Sequence, residues 1–536
     1  MWNACLRQRT KHSSVGPHCR AMHRRAILLV LFAASALTAC GAGGNGPGSP
    51  SPVVPGRGTL LQNPPILLST ESVALLLSKL GGSSYQQLLA LSGVPLCDIQ
   101  IYQIRYATVG GASEATTASG ALMVPSGVDA RCHGPRPLLL YAHGTTTSRT
   151  NNIADLSNAG NAEGLLLAAI FAAQGYIVVA PNYAGYDAST LPYHPYLNAD
   201  QQSKDMIDAL VAARSALPVG LAPLTSDDGR LFITGYSQGG FVAMATQRAT
   251  QDAGMKVTAS APMSGPYALA AFVDAVYAGQ VSAGAPVLMT FLMTAYQHSY
   301  GDLYASAADV FEAPYATGID QLLPTSLPRS ELYAQNKLPQ YVLFSAVPPD
   351  PGFAAKTPAT LPANLAPLFA VGFGSGNLIS NSYRLSYLLD AQLNPDGGWP
   401  AVASGVPAAQ PALPFRLELK RNDLRNFTPT VPTLLCGGDA DPSVYWLNTE
   451  LMQHYWATQG ATAPLISVLN LEAAAVASDF YASERAQFAT AKQLIVAAAV
   501  AQGAIDGGQR ALIEAYHATL VAPLCMAAVR SFFANH

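Results

Sequence analysis

Apolar residues fall into short unbroken runs at 138–142 (LLLYA), 176–180 (YIVVA), 231–235 (LFITG), 257–263, 431–436 (VPTLLC) and 466–471 (ISVLNL). A strand with one face in water alternates apolar and polar residues, whereas an unbroken run marks a strand buried on both faces. Between several runs stand helix-length stretches, 162–174, 203–216 and 240–252, whose apolar residues recur every three or four positions. This alternation predicts an α/β architecture: a mostly parallel central sheet with crossover helices on both faces. Two further strands, 98–107 and 116–125, precede the series.

The alternation stops between 268 and 425, where apolar and aromatic stretches such as VLMTFLMTAY (287–296) and LISNSYRLSYLLDAQL (378–393) are broken by proline. The excursion leaves after one core strand and returns before the next. It is expected to be one large, mainly helical cap inserted into a core of residues 61–267 and 426–536.

The amino terminus carries a different pattern. Arg24 and Arg25 precede an apolar run at 26–37, the length of a signal-peptide h-region and short for a membrane span. Residues before Met22 are untidy for an n-region, and Met22 offers an alternative start. The run ends in Leu37, Thr38, Ala39 and Cys40, which resembles a bacterial lipobox. Residues 1–40 therefore read as a signal peptide whose cleavage leaves Cys40 for lipidation, a membrane anchor; the alternative is an ordinary secretory signal with a chance cysteine. Residues 41–60, rich in glycine, proline and serine, read as a flexible linker. Gly41, Gly43 and Gly46 spell GxGxxG, but no strand precedes them and prolines follow, so a dinucleotide site is rejected.

Seven cysteines occur. Cys5 and Cys19 leave with the leader, and Cys40 would carry lipid. The remaining four would meet an oxidising compartment. Antiparallel pairing of strands 98–107 and 116–125 would bring Cys97 and Cys132 together, so that bridge is expected. Cys436 and Cys525 are left either as a second bridge or as buried free thiols.

Half of the residues are hydrophobic and only 11% are charged, enough apolar material for a large core. A formal net charge of -3 provides no basic field for a phosphate backbone, so nucleic acid is not an expected partner.

The chemistry begins at Gly235, Tyr236, Ser237, Gln238 and Gly239, a GxSxG. The bare pattern is weak, but it follows the strand LFITG and leads into the helical run FVAMATQRAT, the strand, sharp turn and helix that a nucleophile elbow requires. The glycines relieve steric conflict where the turn is tight, and Ser237 projects clear of the sheet. A serine hydroxyl needs a general base. His517, in AYHATLVAPLC beyond the last strand, is the candidate, since the other histidines fall in the leader, in loops, in the cap or at the terminus. An acid must then fix the imidazole tautomer. VPTLLCGGDADPSV offers Asp441 and Asp439. Two backbone donors are also needed for the oxyanion. Gln238, directly after the nucleophile, supplies one, and Thr145, in the His143-Gly144 turn after LLLYA, supplies the other. His143 itself is read as structural.

These features resemble the α/β-hydrolase superfamily, and within it the secretory lipase family of exported esterases and lipases. The carriers are YAHGTTT (141–147), APNYAGYDAS followed by HPYL (180–197), the helix around Asp208 and Arg214, GYSQGG (235–240), GGDADPSV and YHATLVAPLC. They cover roughly 95–265 and 425–535. The resemblance implies the chain order Ser237, Asp441, His517, with Asp441 favoured over Asp439 because it lies three residues after a glycine and is followed by xxV. It also implies a cap between the sixth and seventh core strands, and hydrolysis of acyl esters through an acyl-serine without metal or organic cofactor. One departure stands out: about 45 residues, including a helix-like run at 479–503, separate the last strand from His517.

The expected function is a serine carboxylic-ester hydrolase acting on apolar acyl or polyester-type substrates, exported and lipid-anchored or secreted. The same triad could serve an acyltransferase or a peptidase. A non-catalytic binding module on this fold is the alternative from another class. A metal hydrolase is disfavoured because no HExxH or clustered ligand spacing occurs.

Overall fold

The apolar runs assemble into one nine-stranded sheet. In chain order its strands are β1 (Ile66–Glu71), β2 (Asp98–Val109), β3 (Ala115–Ser126), β4 (Gly134–Ala142), β5 (Ile177–Pro181), β6 (Thr225–Tyr236), β7 (Ala259–Met263), β8 (Thr433–Gly437) and β9 (Ile466–Asn470). Their spatial order is β1-β2-β3-β5-β4-β6-β7-β8-β9. Pairing is antiparallel from β1 to β5 and parallel from β5 to β9. This computed structural model describes residues 55–81, 93–158, 160–220 and 223–536. The leader, the Cys40 lipobox and the glycines at 41–46 lie outside the described residues.

Successive residues of each buried strand point to opposite faces. Leu138, Leu140, Ile177, Val179, Leu231 and Ile233 enter one core, while Leu139, Tyr141, Val178, Ala180 and Phe232 enter the other. Helices α3 (Ala199–Ala216) and α4 (Gln238–Asp252) cover the first face. Helices α1 (Val73–Lys79) and α2 (Ala162–Ile170) and the carboxyl-terminal helix, Ala522–Phe533, cover the second. Two layers of helix over one sheet explain why these runs carry almost no polar residue.

Two differences from the sequence reading have local causes. Strand β1 was not anticipated; it is an edge strand whose side chains are mostly exposed, so ILLSTE has no burial pattern to reveal it. The expected linker at 41–60 ends early. Gly58 N–H donates to Ala107 O at 2.8 Å, Leu60 bridges Tyr106, and Arg57 pairs with Asp208 at 3.0 Å, so these residues lie along β2. The expected Cys97–Cys132 bridge is formed, and Cys436 and Cys525, left open between a bridge and free thiols, form a second disulfide.

Between β7 and β8 the chain leaves the sheet for a mainly helical excursion. Its principal helices are α5 (Leu269–Tyr277), α6 (Ala285–Tyr300), α7 (Asn381–Leu393) and α8 (Pro414–Asn422). A two-residue ladder, Phe344–Ser345 with Phe373–Gly374, is its only described sheet. Buried charges fix how the helices cross: Arg416 on α8 reaches Asp274 on α5 at 2.7 Å and Asp390 on α7 at 3.0 Å. Breaking such a pair would strand a desolvated charge, so the arrangement is specified sharply.

Candidate active site

In an open α/β sheet the crevice for ligands forms at the carboxyl ends of the strands, where strand order reverses. Here the chain runs from β4 outward to β5, then crosses back to β6 on the other side of β4. The ends of β4 and β6 therefore flank that crevice. They carry the His143-Gly144 turn and Ser237.

Ser237 sits between β6 and α4 with φ 60° and ψ -120°. A left-handed serine is strained and persists only where its surroundings impose it. Here Ser237 N–H donates to Met263 O at 3.0 Å. A side chain at Gly235 or Gly239 would collide with backbone carbonyl oxygens, Ala142 O in both cases. These are the two glycines of GxSxG, and the structure gives each its steric reason.

The structure brings His517 and Asp441 to this serine. His517 Nε2 lies 2.8 Å from Ser237 Oγ, and Nδ1 lies 2.6 Å from Asp441 Oδ2. The other oxygen of the buried Asp441 accepts the N–H groups of Ser443 at 2.9 Å and Val444 at 3.1 Å. Asp441 Oδ2 is left to accept Nδ1–H of His517, so Nε2 carries the lone pair that accepts the serine proton. Asp439 is exposed and accepts from Asn470 Nδ2 at 2.9 Å, away from the imidazole.

The long connection before His517 is tied back at several points. It forms helices α9 (Ala482–Ala501) and α10 (Gln509–Ala515), then a π-helical turn, Tyr516–Val521, that carries His517. Tyr516 OH donates to Glu472 at 2.9 Å and accepts Ala440 N–H at 3.3 Å, while Phe488 of α9 packs edge-on against its ring. Tyr236 OH donates to the carbonyl of His517. Cys436 at the end of β8 is bonded to Cys525, eight residues beyond the histidine. Asp441 and His517 thus stand on segments joined by a covalent bond.

The His143-Gly144 turn after β4 is equally restrained. Gly144 N–H is taken by Glu163 Oε1 at 3.0 Å, an oxygen that also accepts Tyr141 OH at 2.7 Å. Thr145 N–H has no acceptor among the described residues, and both Thr145 and Gln238 line the cleft beside Ser237. As the first residue of α4, Gln238 carries an N–H without an intrahelical partner. His143 is buried and stacked on Tyr183 with ring centroids 4.2 Å apart.

Glu163, Tyr141, Tyr236 and His194 were not foreseen as site residues. The buried His194 holds the side chain of Gln238: Nδ1 donates to Ala184 O at 2.9 Å, so Nε2 must accept, and it receives Gln238 Nε2 at 2.7 Å. Burial lowers the His194 pKa to about 3. Between that value and the unfolded value of about 6.5 the unfolded chain binds a proton that the folded chain refuses, so stability falls as pH drops through this window. His194→Gln removes the term. From pH 7 to pH 4.5, wild type is expected to lose stability relative to this variant, approaching about 1.4 kcal/mol per pH unit in denaturant titrations. Parallel pH curves would refute the neutral, buried assignment.

Above Ser237 opens a cleft of about 480 Å³, within the size range of small-molecule sites. Leu269, Phe272 and Val273 of α5 and Val287, Leu288 and Leu292 of α6 form an apolar wall, with Arg329 and Glu514 also lining the cleft. Among the described residues no cluster of three or more His, Cys, Asp or Glu is arranged to hold a metal ion.

A strained serine at the carboxyl edge of such a sheet, met by groups arriving after later strands, is the organisation of the α/β-hydrolase superfamily, to which the chain belongs; it is a hydrolase of that type. Residues 166–285 match the model of the prolyl oligopeptidase family. Among solved structures the chain is similar to LipA, a rice cell wall degrading esterase from Xanthomonas oryzae, at 28% identity over 78% of this chain and 91% of that one, with a TM-score of 0.59. A ligand-bound form of LipA is 25% identical over 89% and 98%, with a TM-score of 0.63. A putative hydrolase from Legionella pneumophila shares the fold at 20% identity over 76% and 90%, with a TM-score of 0.54. No curated protein sequence matches the chain.

Proposed function

We propose that this protein is an exported serine esterase that cleaves apolar acyl or polyester-type substrates through an acyl-serine intermediate. The observation that carries this reading is the continuous relay from Ser237 Oγ through His517 to Asp441 beside an apolar cleft. Ser237 Oγ attacks the ester carbonyl as its proton passes to His517 Nε2. The N–H groups of Gln238 and Thr145 hold the tetrahedral oxyanion, each contributing a few kcal/mol (about 3). The intermediate collapses, His517 returns the proton to the leaving alcohol, and water repeats the sequence to release the acid. Asp441 orients His517 and balances its charge in both halves.

The α5 and α6 wall suits an acyl chain, and the LipA likeness favours ester over amide chemistry. Two disulfides are consistent with export, and lipidation at Cys40 would hold the enzyme at the cell envelope. A peptidase is the second reading, favoured by the prolyl oligopeptidase match. That match spans 166–285, which includes the elbow and excludes Asp441, His517 and most of the excursion. It therefore carries the shared nucleophile frame and little of the substrate cleft.

Rates on 4-nitrophenyl esters of rising chain length, compared with 4-nitroanilides of the same acids and of short peptides, separate these readings. Turnover of the esters with negligible anilide cleavage is expected. Faster cleavage of peptidyl anilides would overturn the ester assignment.

A further inference from the structure

The segment 182–197, NYAGYDASTLPYHPYL, supplies no member of the relay, yet its side chains reach both sides of the oxyanion hole. Toward the His143-Gly144 turn, Tyr183 OH donates to His143 O at 3.0 Å and Tyr186 OH to Thr146 O at 2.7 Å, and Tyr196 OH shares a 2.9 Å bond with Thr145 Oγ1. Toward the elbow, His194 Nε2 accepts from Gln238 Nε2 at 2.7 Å. The rings are packed together: His194 lies 5.5 Å from Tyr183 and 4.6 Å from Tyr186 between centroids. Tyr183, Tyr186, His194 and Tyr196 are all buried.

The backbone of this segment is unusual as well. Tyr183, Asp187 and Leu197 have φ of 66°, 47° and 52°. Tyrosine and leucine gain nothing locally from the left-handed region, so surrounding contacts must impose it. Those contacts are present: Asp205 accepts Ala184 N–H at 2.6 Å, and Asp187 accepts Ser119 Oγ at 2.6 Å and Gln103 Nε2 at 2.8 Å. The segment is therefore anchored to β2, β3 and α3 and clasps the two donor loops from behind.

We propose that residues 182–197 form a buried brace that sets the spacing of the two oxyanion donors, with His194 as the positioning residue for Gln238 and Tyr183, Tyr186 and Tyr196 as positioning residues for Thr145. This rests on the serine-esterase reading and deepens it. The physical ground is that backbone donors stabilise a developing oxyanion only when held where its charge appears, and displacement by about 1 Å can cost about 100-fold in rate. Ground-state binding in the apolar cleft does not use these donors, so the brace acts on kcat and leaves KM alone.

The test uses the full chain and its His194→Leu, His194→Gln, Gln238→Met and Ser237→Ala variants, with 4-nitrophenyl butyrate as substrate and an alkyl boronic acid as probe. The boronate adduct on serine presents an anionic tetrahedral oxygen to the same donors. His194→Leu is expected to lower kcat about 10- to 100-fold with KM within about threefold, and to weaken boronate binding by the same factor. His194→Gln, whose amide oxygen can accept from Gln238, is expected to recover most of both. If His194→Leu fails to fold, Gln238→Met, which keeps the backbone donor and removes the clasped amide, decides by the same two readouts. Unchanged kcat and boronate affinity in the folded variant, a loss confined to KM, or equal losses in the Leu and Gln variants would overturn the brace. Turnover surviving in Ser237→Ala strikes the esterase reading itself, whereas Ser237-dependent turnover indifferent to His194 strikes the brace alone.

Discussion

Ser237→Ala is expected to reduce kcat on 4-nitrophenyl esters by roughly 10⁴- to 10⁶-fold while KM changes little. Alanine keeps the Cβ and hence the same φ of 60°, and the bond from the backbone N–H of residue 237 to Met263 O does not involve the hydroxyl. The elbow should therefore stand unaltered with only its hydroxyl deleted. The apolar wall of α5 and α6 is untouched, which is why binding is spared. Steady-state kinetics checks this, together with a circular dichroism melt to establish that the variant is folded. Turnover within about tenfold of wild type would exclude Ser237 as nucleophile.

The second large effect separates two aspartates only two residues apart. Asp441→Asn is expected to lower kcat by about 10⁴-fold. The mechanism follows from the hydrogen bonds. If the amide oxygen retains the N–H groups of Ser443 and Val444, the amide nitrogen faces His517 and donates to Nδ1. The imidazole proton is then forced onto Nε2, where it can no longer accept from Ser237. Asp439→Asn alters only an exposed contact to Asn470, and its rate is expected to stay within about twofold of wild type. Comparable losses in both variants would show that the acid loop acts through its fold and not through one carboxylate.

What could be read in the sequence and what could not divide along a physical line. Ser237, Asp441 and His517 each follow an apolar strand or stand before a closing helix, so local pattern placed them at one edge of the sheet before any contact was known. The places of Gln238 and Thr145 at that edge were legible for the same reason, as the second residue after β6 and the third after β4. Residues that act through side-chain contacts across the fold carry no such mark. His194 meets Gln238 across 44 residues and Tyr236 meets His517 across 281. The segment holding His194 could be recognised as a resemblance, but its purpose could not be deduced from spacing. Cys436 and Cys525 were paired only by elimination, which contains no geometry; the reason they meet is that α9 and α10 fold back and return the last helix, Ala522–Phe533, beneath β8. Buried on both faces, the central strands announced themselves, whereas the exposed edge strand β1 did not.

The proposed mechanism turns on transfer of an acyl group to Ser237 during turnover. Intact-mass and peptide mass spectrometry after acid quench, with a slowly deacylating 4-nitrophenyl ester as substrate, tests it directly. One acyl adduct per chain is expected, located on Ser237, formed at the rate of the 4-nitrophenolate burst and absent from Ser237→Ala. Full turnover with no adduct at any quench time, or an adduct on another residue that persists in Ser237→Ala, would contradict it.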